Sequence, residues 1–203
     1  MASMGLGYWE PHTSSVEFCE PNYELLHHIA ETHNAWSSVA MVLFGVVGLV
    51  FSNPLHEWRS TAMFSMLLIV GLGSTALHST LHWAFQSMDE VPMLWTNISM
   101  FFALAHLTSP IGESTHMGAV SLISFGVIQT IAYFWWRHIY WVFLASYLTG
   151  VLTLVFWTLW LVQASTNVDE YKTRWMLQRG ALYTYGASGI IWVFEMNHCD
   201  LLL

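Results

Sequence analysis

Charge is what this sequence lacks most. Asp, Glu, Lys and Arg make up 9% of its 203 residues, against about a quarter in soluble domains. That is too little to give water-soluble helices their polar faces. Cations are scarcest: five Lys plus Arg stand against thirteen Asp plus Glu. So acidic a chain has no surface for a phosphate backbone, and nucleic-acid binding is excluded. Two cysteines are too few for a disulfide framework, although they allow one bridge. What is abundant is apolar: 55% of residues are hydrophobic and 16% aromatic, a composition that excludes disorder.

The apolar residues gather into six runs: Ala35 to Phe51, Met63 to Leu81, Val91 to Thr108, Met117 to Trp136, Ile139 to Val162 and Gly180 to Met196. A helix crosses a bilayer with roughly 17 to 25 such residues, and hydrocarbon leaves backbone polar groups no other partner. Breaker or charged residues separate the runs, among them Ser52-Asn53-Pro54, Asp89-Glu90 and Arg137-His138. The pattern predicts an all-α, polytopic transmembrane bundle of six spans. One domain covers 1–203, with an acidic segment over 1–34 and the bundle over 35–196. The first 34 residues hold Glu10, Glu17, Glu20, Glu24 and Glu31 without Lys or Arg, unlike a cleavable signal.

A lumenal N-terminus places Arg59, Lys172, Arg174 and Arg179 on the cytoplasmic side and leaves only Arg137 opposite. The same orientation puts Cys19 and Cys199 in an oxidising lumen, where the first and sixth spans emerge, and predicts a disulfide between them. The bridge would close a loop of about 180 residues, for which chain entropy allows roughly 4 to 5 kcal/mol.

Two clusters carry possible chemistry. Ser74, His78 and His82 are four residues apart, so on a helix they share a face; Asp89 and Glu90 follow, before Pro92. Imidazole inside a span is costly unless paired or useful. Each residue alone has a bland role: Ser74 bonded one turn back, Asp89 an N-cap with Pro92 in the first turn after it, His82 in interfacial water. Their convergence favours a site. In the second cluster, Glu17, Glu20, Asn22 and Glu31 offer four oxygen-bearing side chains, where a hard cation wants six to eight oxygens; a solvated acidic tail is the plainer reading.

The run Gly7-Tyr-Trp-Glu10-Pro11, then Glu17-Phe-Cys-Glu20-Pro-Asn22-Tyr23 and Ile29-Ala-Glu31, resembles the N-terminus of alkaline ceramidases. These are seven-span membrane amidases of the superfamily that includes the adiponectin-type receptors. The likeness continues through Gly71-Leu-Gly-Ser74 with His78, Met88-Asp89-Glu90-Val-Pro92, and Trp192 to Cys199. It implies hydrolysis of the ceramide amide to sphingosine and a fatty acid, in a multi-pass protein of the endoplasmic reticulum or Golgi. The resemblance makes His78 a zinc ligand and places Ser74 and Asp89 beside the reacting carbonyl. It makes Glu17, the Phe18 carbonyl, Glu20, Asn22 and Glu31 calcium ligands, with Glu17 where Asp is more familiar. His82 matches no family ligand.

The family pattern also has a His-x3-His pair on a seventh span, supplying two further zinc ligands, and no such pair follows Cys199. The chain therefore reads as a C-terminally shortened member with an incomplete zinc set, expected to be weakly active or inactive. The alternative is a non-catalytic calcium- and lipid-binding membrane protein.

Overall fold

The computed structural model describes residues 7–51, 57–108, 114–164 and 168–199. Among them are six helices: α1 (Thr32–Phe51), α2 (Trp58–Thr80), α3 (Trp83–Thr108), α4 (Ser114–Trp135), α5 (Tyr140–Gln163) and α6 (Val168–Asn197). The fold is all-α, as the sequence predicts. In α1, α2, α5 and the Gly118–Trp135 part of α4, length and apolarity suffice to cross a membrane. The other two helices carry charged residues, Asp89 and Glu90 in α3 and among others Lys172 and Arg174 near the start of α6. The chain divides into two compact units, Met1–Gly150 and Val151–Leu203, where the sequence reading has one domain. Both cysteines, Cys19 and Cys199, are disulfide-bonded, so the chain keeps no free thiol.

In the first unit the usual soluble pattern is inverted. On α1 the buried positions are the small ones, Ala35, Ser38, Gly45 and Gly48, while Phe44 and Phe51 point outward. Small inner residues let helix backbones approach where no aqueous hydrophobic force drives them together. A Cβ on Gly71 of α2 would lie 2.7 Å from the Val42 nitrogen of α1. Further along the unit, α3, α4 and α5 pack differently, through Leu94, Tyr133 and Phe143. There Asn97 donates to the Tyr147 carbonyl at 3.2 Å. The second unit holds the end of α5 and α6, where the Gln178 amide donates to the Thr158 hydroxyl at 2.9 Å.

Helix starts are capped by carboxylates. Glu20 accepts from the N–H groups of His33 and Asn34 at 2.6 and 2.9 Å, satisfying two free donors at the start of α1. Glu57 does the same for α2, accepting from the Ser60 N–H at 3.0 Å.

The boundary between α2 and α3 differs from the sequence reading. Asp89-Glu90 is not a separator and Asp89 is not an N-cap, because α3 already begins at Trp83. The chain turns at Leu81, which adopts a left-handed backbone (φ 49°) and donates its N–H to the Leu77 carbonyl at 2.6 Å. A non-glycine residue there costs roughly 1–2 kcal/mol. Two features offset it: the Leu81 side chain is fully buried, and its carbonyl accepts the N–H groups of Thr13 and Ser14, each at 3.0 Å. Because α2 ends at Thr80, His82 lies beyond the helix and does not share the face of Ser74 and His78.

Pro92 consequently lies inside α3. Lacking an N–H, it leaves the carbonyl four residues earlier, that of Met88, without its helical donor. Gly73 of α2 sits against that carbonyl: a Cβ would lie 2.3 Å from it and 2.7 Å from the Asp89 nitrogen. One helix lacks a donor, the other lacks a side chain, and the two backbones meet there.

Candidate functional site

The close approach at Gly73 places its neighbour Ser74 against Asp89. The Ser74 hydroxyl hydrogen-bonds the Asp89 carboxylate, and the His78 imidazole lies next to the same carboxylate. From α1, the Ser38 hydroxyl donates to Ser74 Oγ at 3.0 Å. Both serines and His78 are buried. The Asn34 carbonyl, at 2.8 Å, competes with Ser74 for the single Ser38 hydroxyl hydrogen.

Behind His78 stands Glu31, with no exposed surface. Its Oε2 lies 2.5 Å from His78 Nδ1 and accepts from the Asn34 amide at 3.4 Å; its Oε1 accepts from the Phe18 N–H at 3.1 Å. A carboxylate at Nδ1 fixes the imidazole tautomer and leaves Nε2 with a lone pair for a ligand or a proton. Backbone bonds lock the contact: the Glu31 N–H donates to the His78 carbonyl at 2.8 Å, and the Ala30 N–H to the Ser79 carbonyl at 3.0 Å. The Phe18 ring covers the imidazole, centroids 4.9 Å apart.

The sequence-predicted residues thus fall into two sets. Ser74, His78, Asp89 and Glu31 are brought together. Glu20 reaches the same Asn34 as Glu31, through that residue's backbone N–H. Glu17 is turned outward, its side chain 63% exposed and 3.8 Å from His12, and Asn22 is exposed. Among the described residues no group of three His, Cys, Asp or Glu side chains is disposed to hold a metal. His198, just past α6, bonds locally, its ring 3.0 Å from the Phe194 carbonyl.

Sequence reasoning missed a second polar chain beside the first. Buried Glu90 accepts from the Gln86 amide at 2.8 Å, and Gln86 also donates to Ser15 Oγ at 2.7 Å and accepts from the Ser15 N–H at 2.8 Å. The signal was present in the four-residue spacing of Gln86 and Glu90. Ser38 was legible in the same way, one helical turn after Asn34 in the first helix.

Fold and site together define a multi-pass membrane protein whose helices enclose a hydroxyl–imidazole–carboxylate centre. Comparison with known proteins gives the class a family. The family model described as Ceramidase matches residues 10–203. The chain is 38% identical over 101 residues to Alkaline ceramidase of Arabidopsis thaliana, covering 48% of this chain and 38% of that protein. It is 35% identical over 91 residues to Alkaline ceramidase 3 of Mus musculus, covering 44% and 34%. With Alkaline ceramidase 1 of Homo sapiens it shares 30% identity over 86 residues, covering 41% and 33%. The chain belongs to the alkaline ceramidase family, and the matched stretch spans about a third of the length of each of these relatives.

Proposed function

We propose that Ser74, His78 and Asp89 form the reacting end of a site for the amide of ceramide. The observation that carries this is their convergence at the Gly73–Met88 contact, with Glu31 behind His78, in a chain of the ceramidase family. Asp89 is the candidate base: it takes a proton from the attacking water as the oxygen bonds to the carbonyl carbon. It then returns the proton to the amine nitrogen as the C–N bond breaks. Once Asp89 has taken the proton it no longer needs the Ser74 hydroxyl, which turns to donate to the oxygen that becomes negative, with Ser38 bonded to its oxygen. The products are a fatty acid and sphingosine.

Family resemblance adds a zinc ion, and His78 fits it as a single ligand, through Nε2. A catalytic zinc takes three protein ligands, and the described residues do not complete that set. With that set incomplete among the described residues, weak or absent turnover of ceramide is proposed. The same shortage favours a second reading, a calcium- and lipid-binding membrane protein without catalysis. One experiment separates them: fatty acid release from labelled ceramide by the purified chain, measured with its zinc content. Little release and little zinc are expected. Robust, chelator-sensitive turnover lost in His78→Ala would overturn the inactive reading, and zinc-free chain that still binds ceramide would favour the binder.

Calcium is proposed at Glu17, the Phe18 carbonyl, Glu20, Asn22 and Glu31. Its support is that Glu20 and Glu31 both reach Asn34 in a segment without Lys or Arg, where two carboxylates repel unless a cation lies between them. Glu17 and Asn22 would turn inward to complete the oxygen set. Protease resistance should rise with calcium, and in Glu20→Ala the calcium response should vanish; an unchanged response would count against the shared site. The disulfide-bonded state of Cys19 and Cys199 supports a lumenal N-terminus in the endoplasmic reticulum or Golgi.

A further inference from the structure

A groove of about 510 Å³ shares no lining residue with the Ser74, His78 and Asp89 centre; it is lined by Thr13, Ser14, Ser15, Trp83, Arg137 and His138. One wall is a rigid hydroxyl rail. Thr13 and Ser14 are tied through their N–H groups to the Leu81 carbonyl, and Ser15 is held on both sides by Gln86. The Trp83 N–H donates to Thr13 Oγ1 at 3.1 Å, so the Thr13 hydroxyl hydrogen remains to donate. Ser15 Oγ likewise accepts from Gln86 and keeps its hydrogen. Ser14 Oγ is buried and has no partner among the described residues.

The other wall is cationic. The Arg137 guanidinium lies 4.3 Å from the centroid of the Trp83 ring, and His138 is beside it. In a chain with thirteen acidic and five basic side chains, Arg137 pairs with no carboxylate among the described residues. A guanidinium, an imidazole and three hydroxyls on one groove make a donor set for an oxyanion with several acceptor oxygens, for which the planar arginine fork is suited. Around it the rings of Trp83, Trp135, Trp136 and Trp141 are all exposed. Tryptophan gathers at the level of lipid headgroups, which sets the depth of the groove.

We propose that this groove binds the phosphate group of a membrane phospholipid, with Arg137 as its charge partner and Thr13, Ser14 and Ser15 as hydroxyl donors. Ceramide carries no phosphate, so this ligand is distinct from the proposed substrate, and the site stands whether or not the chain hydrolyses ceramide.

Calorimetric titration of the full chain in a neutral detergent tests it with three probes: dioctanoyl phosphatidic acid, dioctanoylglycerol with the same tails but no phosphate, and inorganic phosphate. Saturable binding of the phosphatidic acid is expected, with both other probes weaker by about tenfold or more, the span of roughly 1.4 kcal/mol. Arg137→Gln should lose a similar factor, and Arg137→Lys, which keeps the charge but not the fork, should fall between. Ser14→Ala, leaving the cation in place, checks the hydroxyl wall independently by a smaller loss. Equal affinity in Arg137→Gln and the unaltered chain, both monodisperse, would overturn the site. Inorganic phosphate bound as tightly as the lipid would overturn the membrane source.

Discussion

The contact of α2 with its neighbours and the contact among α3, α4 and α5 solve the same packing problem in opposite ways. Around α2, glycine removes side chains until backbones touch, at Gly71 against Val42 and at Gly73 against Met88. Between α3, α4 and α5, rings fill the space, with Tyr133 and Phe143 around Leu94. Short polar side chains reach across only where backbones are close. Ser38, Ser74, His78 and Asp89 therefore meet around α2. Among the aromatic-packed helices the cross-helix polar contacts include long, ring-borne groups, such as Trp95 Nε1 donating to Thr130 Oγ1 at 3.0 Å and the Tyr133 hydroxyl reaching Ser87 at 3.4 Å. The polar centre is a consequence of glycine packing.

The strongest way to break the α2 side is to remove its buried anion. Glu31→Ala would leave the Phe18 N–H without its acceptor and His78 without its orienting carboxylate. Removing one partner of such a buried pair costs about 3–5 kcal/mol. Denaturant titration of the purified chain in detergent should show a loss of that size. Glu31→Gln, which keeps the shape and an acceptor, should lose clearly less. Equal losses in the two variants would mean that the charge alone, and not the acceptor or the shape, accounts for the effect.

Next in size is the glycine contact itself. Gly73→Leu puts a side chain where a Cβ alone would meet the Met88 carbonyl at 2.3 Å, and backbone must move; overpacking of this kind costs roughly 1–3 kcal/mol or more. It should also separate Ser74 from Asp89. Gly186, by contrast, has open space where a Cβ would stand, with nothing within 4 Å. Gly186→Ala, in the interior of α6, should stabilise by about 0.5–1 kcal/mol through helix propensity. If Gly73→Leu were tolerated as well as Gly186→Ala, close approach would not be what Gly73 is for.

Much of this was legible in the sequence, and the rest was not for identifiable reasons. The helices follow from runs of apolar residues that only a membrane accommodates, and Ser74, His78 and Asp89 follow from spacing and resemblance. The α2–α3 boundary was misread because Pro92 and Asp89 look like a helix start, while the actual turn rests on Leu81. Leu81 carries no turn signature; its left-handed backbone is held by tertiary bonds from Thr13 and Ser14, some seventy residues away. Glu20 was read as a metal ligand or as part of a solvated acidic tail, and its capping of α1 is equally a long-range effect. Spacing rules see neighbours along one helix, and these residues act between segments.

The smallest effect sharpens the comparison by setting the long-range cap of α1 beside the local cap of α2. Glu57 caps the start of α2 in water, accepting from the N–H and hydroxyl of Ser60 at 3.0 and 3.1 Å and from the Arg59 guanidinium. The hydrogen bond from Arg59, foremost, and those from Ser60 lower its carboxyl from the ordinary 4.5 to about 2. A carboxyl whose folded value lies below its unfolded value contributes stability that is fully present above the unfolded value and is lost as pH falls through the folded one. Hydrogen exchange at the Ser60 and Thr61 amides should accordingly be governed by a constant cap above about pH 4.5. The first turn of α2 should then loosen between about pH 4.5 and 2. Because the pair is solvated, added salt should weaken the Arg59 part of the effect. Glu57→Gln should abolish the pH response while leaving the start of α1, capped by Glu20 from well before the helix, unchanged. Loosening of both helix starts together in Glu57→Gln would show that the two caps are not independent.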